Sequence, residues 1–256
     1  MTYCVGLLVK DGLVMIGDTR TNAGLDNIAT YRKLHLFESP GERVVCVATA
    51  GNLAISQAVL SLITEGLHNP DRDRIETVWS TPTMFSTAQL VGRAVREVYR
   101  IDGPGMEQVN TRFDVMILLG GQIATGRLRL FQIYSAGNFI ESAADTPYVQ
   151  IGEHKYGKPI LDRAASFETE LYDAVKLGLI SMDSTMRSNL GVGMPLDLVV
   201  LRRDRMRTEL DLRIEKGEPY FEALRESWSR ALSDAHQAIP TPPWAPSDAA
   251  APLKSV

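Results

Sequence analysis

The chain has 256 residues, 45% of them hydrophobic, with a formal net charge of −4. That is enough apolar content for one large domain or two small ones, and the mild acidity gives nucleic acid no footing as a partner. No run reaches the roughly 18 apolar residues of a membrane helix, and no basic leader precedes the first apolar stretch, so the expected setting is the cytosol. Cys4 and Cys46 sit in apolar runs and read as reduced core residues, and no zinc-ligand spacing occurs.

Residues 2–9 read as an apolar strand, and Leu13–Gly17 as its hairpin partner. Asp11-Gly12 suits a two-residue type I′ turn, which sets Lys10 opposite Leu13 and Val5 opposite Asp18. Asp18 would then lie about three residues along from Thr2, roughly 10 Å at strand rise, and only a long side chain such as Lys33 could couple the two. Thr2 is the informative position. A threonine hydroxyl needs a base to take its proton. If Met1 is removed, the free α-amino group on the same carbon, titrating near ~7.7–8.0, can be that base. Lys33 is the candidate cation that tunes the amine, with Asp18 holding it in place.

Further along, residues 31–37 read as a short strand and Arg43–Ala50 as a buried one ending at Gly51. Leu53, Ile55, Ala58, Val59, Leu62 and Ile63 have helical spacing. Residues 68–82 read as a surface connection. A second helix is expected from about Met84 to Arg100, broken by Asp102-Gly103-Pro104-Gly105. Strands at Phe113–Gly121 and Arg127–Tyr134 follow, then helices over Lys158–Arg163 and Glu168–Met182. A hairpin at Asp197–Leu201 and Thr208–Ile214 leads to an amphipathic helix at Glu222–Ala235. Strands, two helices and strands in that order indicate two packed antiparallel sheets flanked by helices, not alternating β and α. The expected division is a domain over 1–236 and a Pro/Ala-rich tail over 237–256 that lacks the makings of a core.

A strand opening at Thr2, Gly17-Asp18-Thr19-Arg20, and Lys33 together resemble the proteasome β-type family of N-terminal-nucleophile hydrolases. Asp18 follows Thr2 at the family's spacing; Lys33 stands one residue short of it. Within that family the chain is similar to the bacterial Anbu (ancestral β-subunit) branch, over roughly residues 2–235. The resemblance implies an α+β fold, a four-layer αββα sandwich of two antiparallel sheets between helices. It implies a threonine peptidase with Thr2 as nucleophile, Asp18 and Lys33 as its tuning pair and the Gly51 amide facing the oxyanion. Thr21, Thr49 and Leu53 would line the pocket for the substrate side chain. The family also places an aspartate and a serine near the terminal threonine. Asp183 and Ser188 are the candidates, too far apart in sequence for a clean match, with Ser184 and Thr185 competing. Where the family carries serine, this chain has Glu153, in Gly152-Glu153-His154. A carboxylate there would raise the amine pKa, so either it points away or proton handling differs. No cofactor or metal is implied. The implied partners are a peptide or unfolded protein, further copies of the chain in a closed or open ring, and an unidentified ATPase or adaptor. Two other readings stay open, a weakly active scaffold of the same fold and an amidase acting on small amides.

Overall fold

Strand β1 (Tyr3–Val9) is apolar on both faces, because a strand sends alternate side chains to opposite sides. Tyr3, Val5, Leu7 and Val9 pack on one side with Val14 and Ile16 of β2 (Gly12–Asp18). Cys4 and Leu8 pack on the other with Leu13 and Met15. A sheet made of such strands has to be covered twice. The structure, a computed structural model, describes residues 1–22 and 28–244.

The first sheet has the order β12-β1-β2-β13-β14, where β12 is Tyr148–Gly152, β13 Leu196–Arg202 and β14 Thr208–Ile214. The second has the order β11-β10-β9-β6-β5, with β5 at Leu34–Ser39, β6 at Arg43–Gly51, β9 at Val115–Ile123, β10 at Arg129–Ile133 and β11 at Phe139–Glu141. All the pairings are antiparallel. Three buried clusters mark three interfaces. Helices α1 (Leu53–Glu65) and α2 (Met84–Gln108) cover the outer face of the second sheet. Helices α3 (Lys158–Ala164), α4 (Leu171–Ser188) and α5 (Pro219–Ala238) lie over the first. Between the sheets, Leu13 and Met15 meet Cys46, Leu118 and Leu130. The expected four-layer αββα sandwich is the observed architecture. Two small hairpins complete it, β3 (Arg20–Asn22) with β4 (Ile28–Thr30) and β7 (Leu67–Asn69) with β8 (Arg74–Glu76).

Four local expectations change. In the first hairpin Val9 pairs with Gly12 and Val5 with Ile16, so Lys10-Asp11 is the turn. Gly12 serves packing: a Cβ there would collide with the Leu201 carbonyl oxygen and press on Leu171. Extending that register brings Asp18 level with Tyr3, next to Thr2. Helix α2 runs through Pro104 to Gln108. Tyr99 meets the Phe113 ring edge-on at 5.1 Å and donates to Glu107 at 2.8 Å, bracketing the proline turn from both sides. The connection after α1 is not merely surface, since β7–β8 buries Glu76 among Asn69, Arg74 and Arg93. Helix α5, at Pro219–Ala238, is longer at both ends than the expected Glu222–Ala235, and residues 245–256 of the expected tail lie outside the described residues.

Cys4 and Cys46 are both free and buried, and burial pushes each thiol well above its ordinary range. A disulfide-exchange reagent should therefore label neither in the native protein and both once guanidinium unfolds it. Fast labelling of either native thiol would contradict this core.

Candidate functional site

The site forms where β1 begins, β2 ends and β5 is entered. Thr2 is 9% exposed, and its carbonyl accepts the Glu153 amide at 2.7 Å, so a chain terminus that would otherwise fray is tied to the sheet. Asp18 closes β2 with no exposed surface. Its Oδ1 accepts the Tyr3 amide at 3.0 Å and Lys33 Nζ at 2.8 Å, and its Oδ2 accepts the Gly193 amide at 3.3 Å. Burial pushes the Asp18 carboxyl upward, and the Lys33 ammonium with these two amides pulls it back. Asp18 thus bonds the backbone beside Thr2 directly, a closer placement than the turn arithmetic gave.

Lys33 precedes β5 and is nearly as buried. Its ammonium also donates to the Arg20 carbonyl at 2.6 Å. An ammonium has three donors; two are spent, which leaves one for the cavity Lys33 lines. That cavity, about 370 Å³, is lined by Met1, Thr2, Thr21, Lys33, Thr49, Ala50, Gly51, Asn52, Leu53 and Ser56. It gathers the expected nucleophile, its cation, the oxyanion glycine and all three expected substrate-side residues. Gly51 ends β6 at φ +102°, and a Cβ there would strike the Asp114 carbonyl, so only glycine fits the approach to the cavity.

Two expected residues are elsewhere. Asp183, on α4, accepts from Arg187 on Oδ2 at 2.9 Å and from Arg225 of α5 on Oδ1 at 2.6 Å. Oδ2 is engaged within α4 and Oδ1 holds α5 to it, and Asp183 does not line the Thr2 cavity. Ser188 is the exposed last residue of α4. Of the competitors, Thr185 turns its hydroxyl onto the Ser181 carbonyl at 2.9 Å, and Ser184 does not line the cavity. Glu153 is beside Thr2, but its carboxylate bonds the Asn189 side-chain amide at 3.2 Å and the Lys155 amide at 3.3 Å.

The sequence reading missed the α4–β13 connection. Besides the Gly193 amide on Asp18, Leu190 O accepts from Arg20 at 3.0 Å and Pro195 O accepts the Thr19 hydroxyl at 2.7 Å. Nothing local marks those contacts, which span at least 170 residues. Asn52 was missed as well, though an asparagine ahead of an apolar helical run is a cap signal; its side chain caps the Ala54 and Ile55 amides.

No family model matches the chain. The probable proteasome subunit beta type-2 of Schizosaccharomyces pombe is 27% identical over 208 residues, 80% of this chain and 68% of that protein. The solved Anbu (Gly-1) mutant from Hyphomicrobium sp. strain MC1 is 50% identical at a TM-score of 0.86, over 94% of this chain and 99% of that one. Anbu from Yersinia bercovieri is 46% identical at 0.85, over 94% and 98%. The helical assembly of the Anbu complex from Pseudomonas aeruginosa is 46% identical at 0.87, over 95% and 99%.

Asp18→Asn would leave the buried Lys33 charge uncompensated and should cost about 3–5 kcal/mol, read from the denaturant midpoint. Adding Lys33→Met should recover most of that loss. A single variant as stable as the parent would mean that the pair does not hold the site.

Proposed function

Because the chain belongs to the Anbu (ancestral beta-subunit) family of proteasome β-type proteins, we propose that it is a threonine-type peptidase that uses Thr2 once Met1 is removed. The observation that carries this reading is the single cavity lined by Thr2, Lys33 and Gly51, with Asp18 bonded both to Lys33 and to the backbone behind Thr2.

The α-amine of Thr2 takes the hydroxyl proton as Oγ attacks the peptide carbonyl carbon. Lys33, one donor still unspent, steadies the forming alkoxide and keeps the neighbouring amine deprotonated by like-charge repulsion. The oxyanion forms against the Gly51 amide. When the tetrahedral adduct collapses, the C–N bond breaks, the leaving amine takes the proton from the α-ammonium, and an ester on Thr2 remains. Water attacks that ester, its proton passes to the α-amine, and the acid product leaves as Oγ regains a proton. The chain self-associates in this reading, as its Pseudomonas relative does, and the substrates are peptides or unfolded chains entering a shared space.

One observation favours a second reading, a proteasome-like scaffold of weak activity. Glu153 stands directly after Gly152, which pairs with Tyr3, and its amide grips Thr2. A carboxylate freed there would stabilise the ammonium over the amine.

An intact-mass measurement with an epoxyketone probe separates the two. The expected result is loss of Met1 and one adduct, on Thr2, absent from Thr2→Ala. Lys33→Ala should lower peptide turnover on the order of 10²–10³-fold. Met1 retained throughout, or an adduct that survives Thr2→Ala, would defeat the peptidase reading.

A further inference from the structure

The cavity continues past Gly51 to the start of α1, and the mechanism does not use the chemistry at that end. Thr49 and Ser56 are only 4% and 3% exposed. Both line the cavity. Among the described residues the Thr49 hydroxyl has no hydrogen-bond partner, and it is not among the sealed unpartnered atoms, so it is free to bond a group that enters the cavity. Ser56 donates its hydroxyl to the Asn52 carbonyl at 2.9 Å, which leaves its oxygen lone pairs as acceptors. Asn52 turns Oδ1 to the α1 amides, at 2.9 Å from Ala54 N and 3.4 Å from Ile55 N. Its NH₂ therefore faces away from the helix, and its two donors meet no partner among the described residues.

We infer that this end of the cavity is a specificity pocket for an uncharged carboxamide, the side chain of asparagine or glutamine, on the residue whose carbonyl Thr2 attacks. The inference rests on the peptidase reading for the attacked bond, but the pocket's chemistry stands on its own side chains. A carboxamide carries an acceptor for the Asn52 NH₂ and donors for the oxygens of Thr49 and Ser56. A leucine or tyrosine side chain would cover those polar atoms and satisfy none, which costs more than the contact returns. Lysine or arginine would meet the Lys33 ammonium and the positive start of α1, and among the described residues no carboxylate lines the cavity to offset them. A glutamate could use the donors but would face the Ser56 lone pairs and lose its hydration.

The experiment takes fluorogenic peptides differing only at that residue, as Gln, Asn, Leu, Arg or Glu. It measures turnover by the wild-type chain and, separately, binding of the same peptides to the Thr2→Ala chain by calorimetry. Gln or Asn should lead Leu by about tenfold in both assays, one well-made hydrogen-bonded contact's worth. Thr49→Val, equal in shape, and independently Ser56→Ala should bring the Leu peptide to parity with Gln. A wild type that prefers Leu, Arg or Glu, or a ranking untouched by both substitutions, overturns the inference. If no peptide is turned over, the peptidase reading falls, and the binding ranking still decides: carboxamide first upholds the pocket, and equal or absent binding overturns it.

Discussion

The Asp18 carboxylate is the point on which the rest of the site depends. It sits with no exposed surface at the end of β2 and receives three donors from three parts of the chain. These are the Tyr3 amide of β1, the Lys33 ammonium ahead of β5, and the Gly193 amide between α4 and β13. A buried charge is tolerated only with such company. The reverse also holds: while Asp18 is ionised, none of the three segments can leave without stranding it. The carboxylate thereby fixes the distance between strand start and lysine that the proposed chemistry needs. It does so across both sheets, since β1 and β2 belong to one and β5 to the other.

Much of the sandwich was legible because apolar alternation along strands is a local property. Residues 2–9, 43–50 and 197–201 each read as apolar strands, and sheets built of such strands have to stack and be roofed by helices. What escaped was what depends on a neighbour. Gly12 reads as a turn residue beside Asp11, yet its lack of a side chain lets β13 and Leu171 approach, and the hairpin register shifts accordingly. Gly103-Pro104 reads as a helix stop, yet Tyr99, Phe113 and Glu107 tie the two sides together and the helix carries on. Tertiary context decided both, and propensity could not.

The site divides along the same line. Thr2, Asp18, Lys33 and Gly51 lie within the first 51 residues and were named through the family resemblance, while the hairpin reading set Asp18 too far from Thr2. Thr21, Thr49 and Leu53 fall in the same cavity because β6 delivers Thr49 and Gly51 directly to the start of α1. The downstream contributors are different. An aspartate on α4 was expected near the terminus, but helical spacing puts Asp183 toward Arg187, one turn on, and toward Arg225 across the α5 contact. The segment that does approach is the loop after it, through Asn189 and the Gly193 amide. A backbone donor carries no sequence signature, so nothing about residue 193 could have announced its bond to residue 18.

The nucleophile proposed here has an unusual mechanical requirement: it must be both the end of the chain and rigid. Chain ends fray unless something ties them down. In this fold β1 is held on both sides before its first residue is free to move. Tyr3 pairs with Gly152 on one side, and Cys4 pairs with Gly17 on the other. The Tyr3 hydroxyl, buried against Ser181 Oγ at 2.6 Å and accepting from Gln150, anchors the same residue from the helical layer. The Thr2 carbonyl is bonded to the Glu153 amide. Met1 takes part in none of these bonds and is 65% exposed. Removing it would break nothing in that frame, so an amine would be uncovered on a residue already in place, and the preorganisation that an activated hydroxyl needs would come from bonds made before the amine is exposed.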